Sequence, residues 1–375
     1  MKIGFDAKRA FNNHRGLGNY SRDTIRILST QFTDNQYFLY TPKICGDIPF
    51  HPNENCRTIL PNGFLAQRMP SIWRTYRLAD EAEKEKLDLF HGLSHELPVG
   101  IQKKEIPTVV TMHDLIFMKF PELYPAIDRA LYRHKYLSSC KIADRIIAIS
   151  EQTKRDLLEL TDIDEQKIDV VYQGCSPTFR TEIPTVEREQ ICQKYRLPAE
   201  FMLSVGALEE RKNHLEILQA MVSQSIDFPL VIIGNETDYT PTLHQFIEKN
   251  KLHSRVTLLM GVPFADFPAI YQSATLFLYP SLFEGFGIPV LEALCSGTPV
   301  IAATGSCLEE SGGPGSCYIS PTDCDELGNQ IHNILGNKEL QQKMVVEGKE
   351  FSLEFTDESI AKNLWATYQK AISTH

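Results

Sequence analysis

The chain has 375 residues, which at about 150 per domain gives two or three domains and more than one sizeable core. With 42% hydrophobic, 10% aromatic and 23% charged residues, its composition excludes a disordered or fibrous chain and a small disulfide-stapled module. The net charge of -10 argues against a protein built to neutralise nucleic-acid phosphates, and the acidity lies in the second half, since residues 1–178 carry 24 Lys and Arg against 23 acids while residues 179–375 carry 14 against 25.

Short apolar runs alternate with longer helical stretches, the pattern of parallel sheets with crossover helices. In chain order, strands are expected at 2–7, 37–42, 88–92, 108–114, 145–150 and 167–174, with helices over 19–31, 127–143 and 151–158. Ser150, followed by Glu151 in the first turn, is the expected N-cap of the last of these helices. After Gly174 the stretch CSPTFRTEIPTVEREQICQKYRLPAE is marked by prolines and lacks a clean strand, so the domain junction is placed there. The pattern then restarts, with strands at 201–207, 229–234, 255–261, 275–281 and 298–303 and helices over 214–224, 242–250 and from Pro289. The count predicts an α/β fold of two successive doubly wound units, 1–178 and 179–355. In the tail, 356–375, Ile360, Leu364 and Tyr368 at i, i+4 and i+8 mark an amphipathic helix able to pack across either unit.

Nine cysteines, an odd number without a C-x-x-C pair, read as reduced structural thiols of a cytosolic protein. No signal peptide and no apolar run of about 18 residues is expected to direct the chain into or across a membrane. The cluster Arg129, Arg133, Lys135, Lys141 and Arg145 reads either as a solvated helix face or as a face that approaches an anionic membrane surface.

The strongest local signal is SLFEGFGIPVLEALCSGTPVIAA. Strand residues give way to Glu284, Gly285, Phe286 and Gly287, and Pro289 then opens a helix containing Glu292. A glycine-rich turn feeding a helix N-terminus presents backbone N–H groups to an anionic or polyhydroxyl ligand, and a carboxylate on either side can accept hydrogen bonds from hydroxyl pairs. On local physics alone, this reading and that of a helix with an acidic first turn weigh equally. Arg211 and Lys212 follow the first strand of the second unit; such a pair can clamp a diphosphate, or be solvated surface. His113 should lie at the carboxyl edge of the first sheet, where ligands of open α/β sheets bind, although a lone histidine is more often structural. Gly16 and Gly18 are expected in a loop after the first strand that allows close approach to phosphate. Asp162 with Asp164, and Asp323 with Asp325, have the spacing of a metal-binding pair, but neither pair ends an apolar strand; the first reads as a polar turn and the second as a helix cap.

The Glu284-to-Glu292 block, E-x7-E with GFG and Pro inside it, resembles the signature of the family 4 retaining glycosyltransferases. The resemblance extends in the family's order through RGLGNY (15–20), FHGLSHELP (90–98), TMHDLIF (111–117), ADRIIAISEQTKRDLL (143–158) and SVGALEERKNH (204–214), essentially the whole chain. It implies the GT-B architecture, two facing Rossmann-like domains: an acceptor-binding domain over 1–178, a nucleotide-sugar-binding domain over 179–355 and a C-terminal helix that crosses back. It further implies a metal-independent transfer of a hexose, mannose from GDP-mannose as the first choice, from a nucleotide diphosphate sugar to a saccharide or lipid-linked saccharide, with no cofactor.

By resemblance, Arg211 and Lys212 hold the donor phosphates, the more so because the family often has a further Arg where this chain has Ala207. Glu292 binds the ribose hydroxyls, Glu284 with the backbone of Phe286 and Gly287 holds the transferred sugar, and His113 contacts that sugar near the reacting carbon. Acceptor recognition is placed by position near His91, Ser94 and His95. The resemblance also implies surface-polysaccharide assembly in the cytoplasm, with an acceptor presented at the inner membrane face. The rival readings are a nucleotide-sugar epimerase of the same architecture, a non-catalytic sugar-nucleotide sensor, and an NAD-dependent reductase, whose fingerprint lacks its third glycine here.

Overall fold

Unbroken runs of Val, Ile, Leu and Phe can be covered on both faces only inside a parallel sheet, and this chain uses them in that way. The computed structural model describes residues 1–46, 48, 50–62 and 68–375. The chain divides into two compact units, Met1–Gly174 with Thr356–His375, and Cys175–Phe355.

The first unit is built on seven strands: β1 (Lys2–Asp6), β2 (Gln36–Tyr40), β3 (Cys56–Ile59), β4 (Leu89–Gly92), β5 (Thr108–Met112), β6 (Arg145–Ala148) and β7 (Ile168–Val170). They form one parallel sheet in the order β3-β2-β1-β4-β5-β6-β7, with Ile3 in register with Tyr37 on one side and Leu89 on the other. The second unit has six: β8 (Met202–Val205), β9 (Leu230–Ile233), β10 (Val256–Leu259), β11 (Leu276–Tyr279), β12 (Val300–Ala303) and β13 (Cys317–Ile319), in the order β10-β9-β8-β11-β12-β13. The central strands β5, β8, β9, β11 and β12 are buried along their whole length. In each sheet the chain moves outward and then returns to the other side of its first strand. The order therefore reverses between β1 and β4, and again between β8 and β11. In open α/β sheets the crevice outside the carboxyl ends at such a reversal is where ligands bind.

The sequence reading missed β3 and β13. Both are edge strands, of four and three residues, only partly buried, so neither carries the continuous apolar run that marks a central strand. The expected cap is present: Ser150 Oγ accepts the Thr153 N–H at 2.9 Å and starts the helix Glu151–Leu160. All nine cysteines are free thiols. Among the described residues no helix is long and apolar enough to cross a membrane.

The tail forms the helix Asp357–Thr374 and belongs to the first unit. Ile360, Leu364 and Tyr368 are buried, Trp365 stacks on Phe32 with ring centroids 4.4 Å apart, and Arg26 grips Asp357 with two bonds of 2.5 and 3.0 Å.

Candidate functional site

Two loops of the second unit flank the reversal between β8 and β11. After β8 the chain makes a single turn, Glu210–Lys212, and enters the helix His214–Ser223 through Asn213, which is held in the left-handed region at φ 57°. The Asn213 side chain donates to the carbonyls of Pro280 and Pro321, at 3.1 and 2.6 Å. The Leu282 N–H in turn donates to the Arg211 carbonyl at 2.9 Å, so the loop after β8 is tied to the loop after β11.

This tie brings Arg211, Lys212 and Glu284 together. Lys212 Nζ and Ser281 Oγ each donate to Glu284 Oε1 at 2.6 Å, Arg211 NH1 lies 2.9 Å from the same oxygen, and Tyr279 OH donates to it at 3.1 Å. Lys212 Nζ also donates to Tyr279 OH at 2.7 Å. Every one of these contacts falls on Oε1, which leaves Oε2 without a hydrogen bond among the described residues. Burial alone would raise the Glu284 carboxyl, but Lys212 and Arg211 beside it outweigh that and hold it at about 2. Burial lowers the Lys212 ammonium, opposed by Glu284 and reinforced by the charge of Arg211. The cluster is thus a buried carboxylate held in place by two cations, with one face still able to accept hydrogen bonds.

Gly287 ends the loop at φ 106° and precedes the helix Ile288–Ser296. A Cβ there would lie 2.6 Å from Ser311 Oγ and 2.7 Å from Leu308 Cδ2, so both conformation and space require glycine. Phe286 is buried against Phe355, with centroids 5.7 Å apart, which fixes the turn from below. Glu292 lies one turn into the helix and accepts a 3.1 Å bond from the fully buried Tyr271 OH. The structure therefore gathers Arg211, Lys212, Glu284, Phe286, Gly287 and Glu292 at one sheet edge. Tyr279, Ser281 and Tyr271, which orient the two carboxylates, escaped the sequence reading. A tyrosine closing an apolar strand two residues before a Ser-x-x-Glu was the available signal for the first two.

In the first unit, His113 stands just past β5 and is 5% exposed. Its Nε2–H donates to the Leu93 carbonyl at 2.9 Å, and its backbone N–H donates to His95 Nε2 at 3.0 Å. The neutral ring consequently keeps its Nδ1 lone pair as an acceptor. His95 stacks on Tyr136, with centroids 4.2 Å apart, and occupies the left-handed region at φ 64°. His91 shares hydrogen bonds with Tyr368 OH at 2.7 Å and Thr111 Oγ1 at 2.8 Å, anchoring the tail helix. Burial lowers all three: His113 to about 4, His91 to about 3, and His95 well below its ordinary value.

These groups are neutral when folded but bind protons near pH 6.5 when unfolded, so the unfolded state holds more protons as pH falls. Stability of the first unit is expected to fall between pH 6.5 and about 4, by up to about 1.4 kcal/mol per pH unit for each histidine. Denaturant unfolding of the chain at stepped pH measures this. A flat profile for the unfolding of the first unit would refute it.

Gly16 and Gly18 require a correction. The chain inserts a short helix, Lys8–Asn12, and the two glycines form the first turn of the helix Gly16–Gln31, not a loop. A Cβ at Gly18 would lie 1.8 Å from the Asn13 carbonyl oxygen, so this glycine serves close packing of the helix start, while Gly16 has open space. One residue of each Asp pair acts as a cap: Asp164 accepts from the Gln166 N–H at 2.9 Å and Asp323 from the Glu326 N–H at 2.8 Å.

Residues 16–179 match the family model "Glycosyltransferase Family 4", and residues 187–351 match "Glycosyl transferases group 1". The chain is 27% identical over 374 residues to O-antigen chain mannosyltransferase B of Escherichia coli, covering 94% of this chain and 97% of that one. Among solved structures it resembles sucrose-phosphate synthase from Thermosynechococcus elongatus, with a TM-score of 0.79, 19% identity and 100% of both chains covered. It also resembles Anabaena HepE in complex with UDP and glucose, with a TM-score of 0.75, 18% identity, and 98% of this chain and 99% of that one covered.

Proposed function

We propose, for a chain that belongs to the family 4 and group 1 glycosyltransferases of the GT-B fold, that it moves mannose from GDP-mannose to a saccharide hydroxyl, with retention and without a metal. The observation that carries this reading is the single cluster of Arg211, Lys212 and Glu284 at the carboxyl edge of β8 and β11, with Glu292 one helical turn beyond it. The name of the Escherichia coli relative supports mannose.

Each group has a chemical task in this reading. Glu292, oriented by Tyr271, accepts hydrogen bonds from the ribose hydroxyls. Glu284 turns its free Oε2 to hydroxyls of the transferred sugar, while the backbone at Phe286 and Gly287 borders it. Arg211 and Lys212 meet the diphosphate, and their charge stabilises the electron pair that the breaking glycosidic bond leaves on the phosphate oxygen. That oxygen takes the proton of the acceptor hydroxyl as the new bond forms on the same face of the sugar. His113 offers a neutral acceptor to a sugar hydroxyl. Two fixed cations supply the positive charge that a metal ion would otherwise bring to the leaving group.

The test is thermal unfolding with GDP, UDP and ADP in the presence of EDTA. GDP at about 100 times its dissociation constant should stabilise by roughly 2.7 kcal/mol, a shift of about 2–4 °C per kcal/mol for a domain of this size. The shift should disappear in Glu292→Ala. A response to UDP alone would refute the guanine assignment, an undiminished GDP shift in Glu292→Ala would refute the ribose contact, and a β-linked product by NMR would refute retention.

A further inference from the structure

The first unit contains a second concave site, built from residues that the reading above leaves unused. It begins beside the carboxyl ends of β1 and β4, where Asp6 and Glu96 line it and the strand order of that sheet reverses, and runs along the helix Ala126–Ile142 to its last turn. Its volume is about 410 Å³, within the range of small-molecule sites.

The floor is an ion cluster. The Arg74 side chain, 11% exposed, donates through Nε to Asp6 Oδ2 at 2.8 Å and through NH1 to Glu96 Oε2 at 2.8 Å, and its NH2 lies 2.5 Å from Asp6 Oδ2. Lys135 Nζ reaches the other oxygen of Glu96 at 3.3 Å. Two carboxylates and two cations balance. An entering anion would face Asp6 and Glu96, and an entering cation would face Arg74 and Lys135, so the floor favours a neutral ligand.

The rim is of the opposite character. Tyr76, Val99 and Leu131 line the cavity and are 60%, 53% and 49% exposed. Large apolar side chains gathered at the mouth of a cavity mark a contact surface. The segment carrying Arg74 and Tyr76, Trp73–Arg77, is a π-helix, a rare geometry that concentrates at functional sites. It is pinned to the facing loop by the Val99 N–H, which donates to the Thr75 carbonyl at 2.9 Å. A polar, charge-balanced floor under an apolar and aromatic rim suits a sugar ring, whose hydroxyls meet the carboxylate lone pairs while its C–H face packs on Tyr76.

We propose that this cavity binds an uncharged sugar of the acceptor saccharide and selects the acceptor through Tyr76 and Val99. The inference rests on the glycosyltransferase reading for the word acceptor, whereas the sugar site itself does not depend on it. The experiment is saturation-transfer NMR with α-linked mannobiose on the full chain without nucleotide, comparing wild type with Val99→Trp and Tyr76→Ala. Both positions are exposed, and unchanged thermal unfolding confirms that the variants fold. Wild type should bind the disaccharide, and each variant should bind it at least about tenfold more weakly. The GDP-induced thermal shift should stay the same in all three. Equal mannobiose binding in wild type and both variants, or none in wild type, overturns the proposal. Binding that Val99→Trp abolishes, in a protein that shows no response to any nucleotide, would uphold the sugar site and defeat only the transfer reading.

Discussion

Replacing Lys212 by alanine is expected to lower turnover at saturating donor by about 10²–10³-fold, the effect of losing one donor aimed at developing charge, about 2.7–4 kcal/mol. The ammonium is already placed before any ligand arrives, wedged between Tyr279 OH at 2.7 Å and Glu284 Oε1 at 2.6 Å and largely buried. Little reorganisation is then needed when the diphosphate departs. Lys212→Arg should not restore the rate, since a planar guanidinium does not fit a point contact shared by a phenol and a carboxylate. A purely structural lysine would behave differently, because its loss would lower the unfolding temperature and leave turnover per folded molecule intact. The alanine variant should also show a Glu284 carboxyl that titrates higher, since one of the two cations holding it down has gone. Near-wild-type single-turnover rates would remove Lys212 from the leaving-group role.

The largest effect on stability is expected from Arg74→Met. This change leaves Asp6 and Glu96 facing one another with their common partner removed, and breaking a buried ion pair on one side costs about 3–5 kcal/mol. At about 2–4 °C per kcal/mol for a unit of this size, the unfolding transition of the first unit should drop by roughly 6–20 °C. The sign of the pH dependence follows from the same contacts. Burial raises the Glu96 carboxyl, and Arg74 and Lys135 together bring it below the ordinary value. Without Arg74 it should rise, so the stability deficit is present at neutral pH and shrinks as pH falls and the carboxyl takes up a proton. Calorimetry on both proteins across that range measures it. A deficit below about 1 kcal/mol at neutral pH would show that water already screens the cluster.

The elements that were legible in the chain are those whose burial is written locally. Central strands such as β8, β9 and β11 are covered on both faces and read as continuous apolar runs, and Ser150 announces a helix start within four residues. The Glu284–Glu292 block was equally visible, because its turn, its Pro289 and its two carboxylates lie within nine residues. By itself, then, the sequence determined two doubly wound units, the segments that carry the chemistry, and their place at the ends of strands.

Tertiary structure alone decided what each of those segments meets. The edge strands β3 and β13 have one open side and so lack a two-faced apolar signature. Gly18 reads as a loop glycine until the Asn13 carbonyl, 1.8 Å from its absent Cβ, shows it to be a packing position inside a helix. An amphipathic stripe on the tail specifies burial but not a partner, and it is His91 and Phe32, more than 270 residues away, that receive Tyr368 and Trp365. The clustering of charges on one Glu284 oxygen, and of Asp6, Arg74, Glu96 and Lys135 around one cavity, likewise joins residues far apart in the chain. Periodicity and turn chemistry act over a few residues, whereas the partner of a buried charge is set by which loops converge at the sheet edge, and that convergence exists only once the strands are ordered.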